Sequence, residues 1–164
     1  MAILEIIKYP DELLKMKSAE LETIDNAVLS FIGDLVETMR ASPGVGLAAV
    51  QVGKPVRVIA VDVTPGNPGH GLIVLINPVI TASSGSKTGR EGCLSVPEYT
   101  ANITRAASVT VTGLDIDGRQ TVIESGGFEA VALQHEIDHL DGVLFIDRIT
   151  SMKRDLFKRK IKDI

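Results

Sequence analysis

The spacing of apolar residues in the first third of the chain predicts an amphipathic helix. The positions that repeat at helical spacing are Val28, Ile32, Leu35, Val36 and Met39, which place one apolar stripe on a helix. Asp25 or Asn26 is a suitable N-cap before this stripe, and the Pro43-Gly44 pair after it would end the helix. We therefore expect one helix between this cap and the proline.

Several apolar runs further along the chain have the character of β-strands. They are VRVIAVDV (56–63), LIVLI (72–76) and SVTVTG (108–113), and the last alternates between polar and apolar residues. Asp117-Gly118 lies between two more such runs and predicts a β-hairpin. The segments TPGNPGHG (64–71) and SSGSKTGR (83–90) are rich in glycine and polar residues, so we expect exposed loops there.

Two more helices are predicted towards the end of the chain. One begins near Gly127, runs through AVALQHEIDHL and ends before Gly142. The other is shorter and amphipathic, and its apolar positions are Ile149, Met152, Leu156, Phe157 and Ile161. Strands cluster between helices and do not alternate with them, which favours an α+β fold. We expect antiparallel or mixed strands packed around a central metal-binding helix, with an N-terminal and a C-terminal helix.

Length, charge and cysteine content narrow the class of protein. The 164 residues contain no linker, repeat or low-complexity tract, which predicts a single domain over 1–164. With 17 basic and 21 acidic side chains the net charge is −4, so DNA is not expected as a partner. No apolar run reaches the roughly 18–20 residues of a membrane span, and no secretory signal is recognisable. A single cysteine favours a reducing, cytoplasmic location.

The segment QHEIDH carries the strongest chemical signal in the sequence. On a helix, His135 and His139 lie one turn apart on the same side, where both imidazoles can bind one cation. Glu136 is long enough to reach a water on that cation and act as a general base. The alternative is an exposed helix that carries these residues by chance. Because the chain has only three histidines, two of them at this spacing favour the metal site.

Two histidines leave a third metal ligand to be found. The long metalloprotease motif needs a histidine where this chain has Phe145, and no Glu, His or Cys follows His139. Cys93, in EGCLSVPE, is favoured instead because a thiolate binds borderline and soft divalent ions well. Cys93 could alternatively be an inert buried thiol, and three downstream aspartates remain formal candidates: Asp147, Asp155 and Asp163. Three protein ligands would leave a fourth position for water, as in catalytic sites.

Three segments taken together resemble the signature motifs of bacterial-type peptide deformylases. They are GVGLAAVQ (44–51), EGCLS (91–95) and QHEIDHLDG (134–142), in matching order and spacing. The resemblance implies an enzyme that hydrolyses the formyl group from the N-terminal formylmethionine of new polypeptides and releases formate. It also implies one divalent ion, with Fe²⁺ as the native metal and Zn²⁺, Ni²⁺ or Co²⁺ as substitutes.

The resemblance also assigns catalytic roles. Cys93, His135 and His139 look like the metal ligands, with a metal-bound water as the nucleophile and Glu136 as the general base and acid. Gln51 and the backbone N–H of Leu94 resemble the family's donors to the formyl oxygen. This matches chemical need, because negative charge builds on that oxygen during the reaction.

A substrate groove is implied by the same motifs. The backbone of Val45 and Gly46 is expected to line it, and an extended peptide could pair there as an added strand. The methionine side chain needs an apolar pocket, for which the candidates are Val45, Leu94, Val131 and His135. Val131 fits plain core packing equally well.

Four further positions are predicted with less specific roles. Glu91 and Arg105 fit a family pair that braces the cysteine loop, although an exposed ion pair would contribute little. Asp138 fits a partner that orients a ligand histidine, or an ordinary solvated carboxylate. Relatives often carry a basic residue near Thr100, which puts substrate contacts from this loop in doubt.

The C-terminal segment and His70 raise alternatives to the main interpretation. Six basic residues cluster near the end: Lys153, Arg154, Lys158, Arg159, Lys160 and Lys162. The family suggests a ribosome contact for them, whereas a solvated helix face is favoured. His70 is expected at the surface; were it instead a fourth metal ligand, the chain would be an inactive metal-binding homologue. A metal-dependent protease or amidase of other specificity is the remaining alternative.

Overall fold

The computed structural model describes residues 2–64 and 66–158. Its helices are α1 (Asn26–Ala41), α2 (Gly127–Leu140) and the single turn α3 (Met152–Asp155). Its strands are β1 (Gly46–Ala48), β2 (Val58–Val61), β3 (Ile73–Ser84), β4 (Lys87–Cys93), β5 (Val96–Arg105), β6 (Ser108–Leu114), β7 (Gln120–Gly126) and β8 (Leu156–Lys158). Short 3₁₀ turns lie at Glu12–Lys15, Ala49–Val52 and Phe145–Arg148.

The strands form two sheets, and every pairing between the named strands is antiparallel. The larger sheet has the order β1-β2-β3-β6-β7, and the smaller has the order β4-β5-β8. Strands β1 and β4 therefore each lie at the edge of a sheet. The predicted α+β class is confirmed.

Helix α2 is the most deeply buried helix of the described chain. Eleven of its fourteen residues are buried, and its apolar side chains Ala130, Leu133, Ile137 and Leu140 pack with residues of the larger sheet in one core cluster. Cys93 belongs to a separate cluster with residues of β5 and the Phe145 turn. A helix buried on most sides has no solvent face for its polar residues. Those of α2 must therefore find partners inside the protein.

Most predicted elements are confirmed where local signals were strong. Helix α1 is capped by Asp25, whose carboxylate accepts a hydrogen bond from the N–H of Val28 at 2.9 Å. The β6–β7 hairpin turns at Gly118, which has φ +79°. Helix α2 begins at Gly127 and is followed by Gly142 with φ +74°. A left-handed residue after a helix is the usual place for glycine.

The loop predicted at 83–90 is wrong. Strand β3 continues to Ser84 and β4 begins at Lys87, so only a short turn remains. The polar side chains pair across strands through their hydroxyl groups, with Ser84 2.6 Å from Ser108 and Thr88 2.7 Å from Thr104. Cross-strand hydroxyl pairs of this kind stabilise exposed strand segments that have no apolar face to bury.

The predicted C-terminal helix is also wrong beyond its first turn. Helix α3 ends at Asp155, and β8 then pairs with β5, with Leu156 opposite Ala101. The free edge of β5 offers backbone hydrogen bonds that outweigh a weak helical pattern. Ile161 lies outside the described residues, and the single domain over 1–164 stays a prediction. Within the described residues, no helix combines the length and the apolar character that spanning a membrane requires.

Candidate metal centre and active site

Three buried side chains from two elements meet at one point. Cys93 ends β4, and His135 and His139 lie one turn apart on α2. The Sγ of Cys93 is 3.3 Å from Nε2 of His139, which is 3.2 Å from Nε2 of His135. All three potential ligand atoms lie within 4.8 Å of one another.

This arrangement fits a divalent cation. Two ring nitrogens and a sulfur face each other, and a cation satisfies their lone pairs together. The Nδ1 of His139 is buried without a hydrogen-bond partner among the described residues. The other ring nitrogen, Nε2, is the one that faces Cys93 and His135. Sulfur and imidazole together suit Fe²⁺, Co²⁺, Ni²⁺ and Zn²⁺ better than Mg²⁺ or Ca²⁺.

The other candidate ligands lie elsewhere. His70, at the surface as expected, contacts the buried Glu129, with Nδ1 2.5 Å from Oε1, and is not in the ligand group. Asp147 pairs with Lys15 and Asp155 with Arg154, whereas Asp163 is outside the described residues. A fourth ligand from His70 is therefore not supported.

Glu91 orients His135. Its Oε1 lies 3.0 Å from Nδ1 of His135, so a proton on Nδ1 leaves Nε2 with a free lone pair. Arg105 holds Glu91 in turn through two hydrogen bonds of 2.6 and 2.9 Å. The two charged residues are 8% and 6% exposed, so the expectation of a weak, exposed ion pair is wrong.

Asp138 does not orient a histidine, contrary to one sequence expectation. Its carboxylate accepts hydrogen bonds from Arg105 at 2.9 Å and from Arg148 at 2.6 Å. Arg105 thus bridges Glu91 and Asp138, which ties β4, β5 and α2 together. Strand alternation was a usable signal for Glu91, because residues two apart on a strand point to the same face and Cys93 points inward.

Burial and nearby charges shift the pKa values of the site. Burial raises the pKa of Glu136 to about 7, against the opposing influence of His135 and Arg105. Burial alone would raise the pKa of Glu91, but hydrogen bonds from His135 and Arg105 hold it below its ordinary value. A carboxyl group that titrates near neutral pH can both accept and return a proton.

The two imidazoles differ in their affinity for protons. Burial lowers the pKa of His139 well below its ordinary value, which leaves a neutral ring. Burial also opposes a charge on His135, but a hydrogen bond with Cys93 and the charge of Glu136 raise its pKa well above the usual range. Metal ligands must be deprotonated, so cation binding here displaces a proton.

The side-chain amide of Gln51 points towards the sulfur of Cys93. Its Oε1 accepts a hydrogen bond from the N–H of Ala48 at 2.9 Å, which fixes the orientation of the amide. Its Nε2 lies 3.6 Å from Sγ of Cys93 and 3.1 Å from Oγ of Ser95. Ser95 was missed from the sequence, where nothing distinguished it from other residues of the cysteine motif.

A cavity of about 560 Å³ is lined by Gln51, Cys93, His135 and Glu136. The residues predicted to bind substrate all line it: Val45, Gly46, Leu94, Val131 and His135. Gly46 lies so close to Glu136 that a Cβ atom built on it would be 2.6 Å from Oε2. Two further lining residues carried no recognisable signal in the sequence: Arg90 and Phe128.

Comparison with known proteins decides the family. A family model described as polypeptide deformylase matches residues 3–155. The chain belongs to the polypeptide deformylase family. A peptide deformylase of Syntrophobacter fumaroxidans is 54% identical over 162 residues, which is 99% of this chain and 95% of that one.

Solved structures of deformylases have the same fold. The peptide deformylase of Ehrlichia chaffeensis in complex with actinonin gives a TM-score of 0.88 at 39% identity, covering 94% of this chain and 92% of that one. A Met-Ala-Ser-bound peptide deformylase of Acinetobacter baumannii gives 0.86 at 35% identity, covering 90% and 98%. The predicted family, fold class and enzyme class are confirmed.

Proposed function

We propose that this deformylase removes the formyl group from the N-terminal formylmethionine of new polypeptides, using the Cys93–His135–His139 group and Glu136. The observation that carries the proposal is the cluster of three ligand atoms within 4.8 Å of one another. Two of the three residues, Cys93 and His135, line a cavity together with Glu136. Family membership supports the reaction. A bound Met-Ala-Ser in the Acinetobacter baumannii relative supports a peptide as substrate.

Sγ of Cys93 and Nε2 of both histidines would hold the cation. When bound, it supplies acidification of a water molecule and polarisation of a carbonyl bond. We propose Fe²⁺ as the native ion and Zn²⁺, Ni²⁺ or Co²⁺ as substitutes, because this ligand set accepts all four. Glu91 and Arg105 keep His135 in the orientation that presents Nε2.

Glu136 moves the proton. Its buried carboxylate accepts the proton that the attacking water loses, and its Oε1 has no competing hydrogen-bond partner among the described residues. It then donates this proton to the departing amine, which is a poor leaving group as an anion. A pKa of about 7 suits both steps.

Gln51 and Leu94 stabilise the charge on the formyl oxygen. The amide of Gln51 is already held by Ala48, so it needs no reorganisation during the reaction. We propose the backbone N–H of Leu94 as the second donor. Loss of one such donor typically costs about 10²–10³ in turnover.

The peptide binds as an extended strand. β1 and β4 are sheet edges, and Gly46 and Gly92 on these strands line the cavity. Main-chain hydrogen bonds to a sheet edge are tolerant of sequence, as an enzyme acting on many new polypeptides requires. The methionine side chain would lie against Val45, Leu94, Val131 and the ring of His135.

The site of action follows from the substrate. We propose that the enzyme works in the cytoplasm on emerging chains. A ribosome contact through the basic C-terminal residues stays a prediction. Of those six, Lys153, Arg154 and Lys158 are among the described residues, and Arg154 pairs with Asp155.

Formate release from formyl-Met-Ala-Ser tests the proposal. The protein is purified without oxygen, its metal content is measured, and the apo-protein is reloaded with Fe²⁺ or Zn²⁺. We expect formate and free Met-Ala-Ser, with Fe²⁺ activity lost on exposure to air. Cleavage of a Met–Ala bond instead of the formyl bond would indicate a protease, and no product with any metal would contradict the proposal.

A further inference from the structure

Two cations lie on the wall of the cavity, and the proposed chemistry uses neither. Arg90 on β4 and Lys8 on the N-terminal segment both line it, and both are exposed. Among the described residues, neither forms an ion pair with a carboxylate. Two acidic residues also line the cavity. Glu91 is paired with Arg105, and Glu136 forms no ion pair with Arg90 or Lys8 among the described residues.

Arg90 is held in a defined place. Its guanidinium carbon lies 3.7 Å from the ring centroid of Phe157 on β8. Stacking of this kind orders the side chain while its N–H groups stay free at the edge of the plane. Those donors can then bind a carboxylate in a bidentate manner.

Lys8 is positioned by its neighbours along the chain. The N–H of Ile7 donates to the backbone carbonyl of Gln51 at 2.8 Å, and the N–H of Tyr9 donates to the backbone carbonyl of Ser95 at 2.7 Å. The backbone on each side of Lys8 is therefore held, at Gln51 of the Ala49–Val52 turn and at Ser95, two residues after Cys93. Among the described residues, its ammonium group donates a hydrogen bond to the carbonyl of Ile6 alone, at 3.2 Å.

The position of Arg90 on β4 sets which part of a peptide it meets. It precedes Cys93 by three residues, and a strand rises about 3.3 Å per residue, so the separation is about 10 Å. Arg90 and Gly92 are exposed and Glu91 and Cys93 are buried, and all four line the cavity. An extended peptide with its formyl group at Cys93, running along this edge, brings its third residue beside Arg90.

We propose that Arg90, assisted by Lys8, selects formylated peptides that carry a carboxylate side chain at the third residue. This inference rests on the proposed function and adds a substrate preference to it. Thr100, on β5, lies opposite both Gly92 and Phe157 and carries no charge. Positive charge at this part of the groove therefore comes from β4 and the N-terminal segment.

Three amidated peptides test the preference: formyl-Met-Ala-Xaa-NH₂ with Glu, Gln or Lys as Xaa. The amide removes the terminal carboxylate as a second source of charge. We expect kcat/KM to be about fivefold higher for Glu than for Gln, as for a well-formed exposed ion pair, and lower again for Lys. The Glu/Lys ratio should fall with added salt.

Arg90→Gln should reduce the Glu/Lys ratio of kcat/KM to a small preference for Glu that is due to Lys8. Arg90→Glu should make the Lys peptide the better substrate. Lys87→Ala is the matched control, since Lys87 is an exposed cation on the same strand that does not line the cavity. If the Gln peptide is deformylated and the Glu/Lys ratio of kcat/KM is the same in wild type and Arg90→Gln, the inference about Arg90 is wrong and the proposed function stands. No deformylation of any peptide would instead count against the proposed function.

Discussion

The close approach of Gly46 to Glu136 predicts a specific catalytic defect in Gly46→Ala. The added methyl carbon would lie 2.6 Å from Oε2 and 2.9 Å from Cγ of Glu136, whereas ordinary contact begins at 3.4 Å. To lengthen the distance between the methyl carbon and Oε2 from 2.6 to 3.4 Å, the carboxylate of Glu136 must move by about 0.8 Å. The backbone tolerates alanine, because Gly46 is not among the glycines with positive φ.

A displacement of about 1 Å in a positioned catalytic group can cost roughly 10²-fold in rate. We therefore expect Gly46→Ala to lower kcat for formate release by about two orders of magnitude. Metal content should stay at the wild-type level, because the three atoms nearest to the added methyl carbon all belong to Glu136 and not to a proposed ligand. The loss should appear in kcat more than in KM if the peptide still pairs with the backbone of β1.

Gly89→Ala is the control for adding a methyl group to a strand glycine. A Cβ atom at Gly89 has no neighbour within 4 Å, so this variant should keep wild-type activity. The reasoning is refuted if Gly46→Ala, loaded with one equivalent of metal, has a kcat within twofold of the wild type. It is also refuted if Gly46→Ala loses its metal in proportion to its activity.

Three further predictions concern the buried charges. Arg105→Ala leaves Glu91 and Asp138 without their shared partner and should cost about 3–5 kcal/mol of unfolding free energy; a loss below 1 kcal/mol in urea unfolding would contradict this. Burial alone would raise the pKa of Glu129, but hydrogen bonds from His70 and Ser125 hold it below the ordinary value of 4.5. The Glu129 carboxylate therefore stabilises the fold above pH 4.5, and this stabilisation is lost as the pH falls through the lowered pKa. Glu129→Gln should thus be less stable than wild type at pH 7, with a gap that closes in acid; a constant gap would show that its charge is not involved. Glu136→Gln should bind metal normally and release almost no formate, and retained turnover would remove Glu136 from the proton-transfer role.

Local sequence signals were sufficient for α2 and for the proposal of Cys93, His135 and His139 as metal ligands. His135 and His139 lie four residues apart, so one helix places them together without any knowledge of the fold. Cys93 was favoured as the third ligand because it is the single cysteine of the chain and a thiolate binds such ions well. The family motifs agreed with that choice.

Long-range partners could not be predicted in the same way. Glu91 and His135 are 44 residues apart, and only the packing of β4 against α2 makes Glu91, not Asp138, the partner of the histidine. The prediction of a C-terminal helix was wrong for a related reason. Leu156 and Phe157 fit a helical stripe, but the open edge of β5 binds them as a strand. Arg90 carried no sequence signal because its proposed role depends on Phe157 and on the edge position of β4.

X-ray absorption at the zinc edge, on protein reloaded with one equivalent of Zn²⁺, tests most directly whether Cys93, His135 and His139 share one ion. We expect one sulfur at about 2.3 Å and two imidazole nitrogens at about 2.0–2.1 Å, with the sulfur contribution absent from Cys93→Ser. A metal environment of nitrogen and oxygen alone in the unmodified protein would contradict the proposed site.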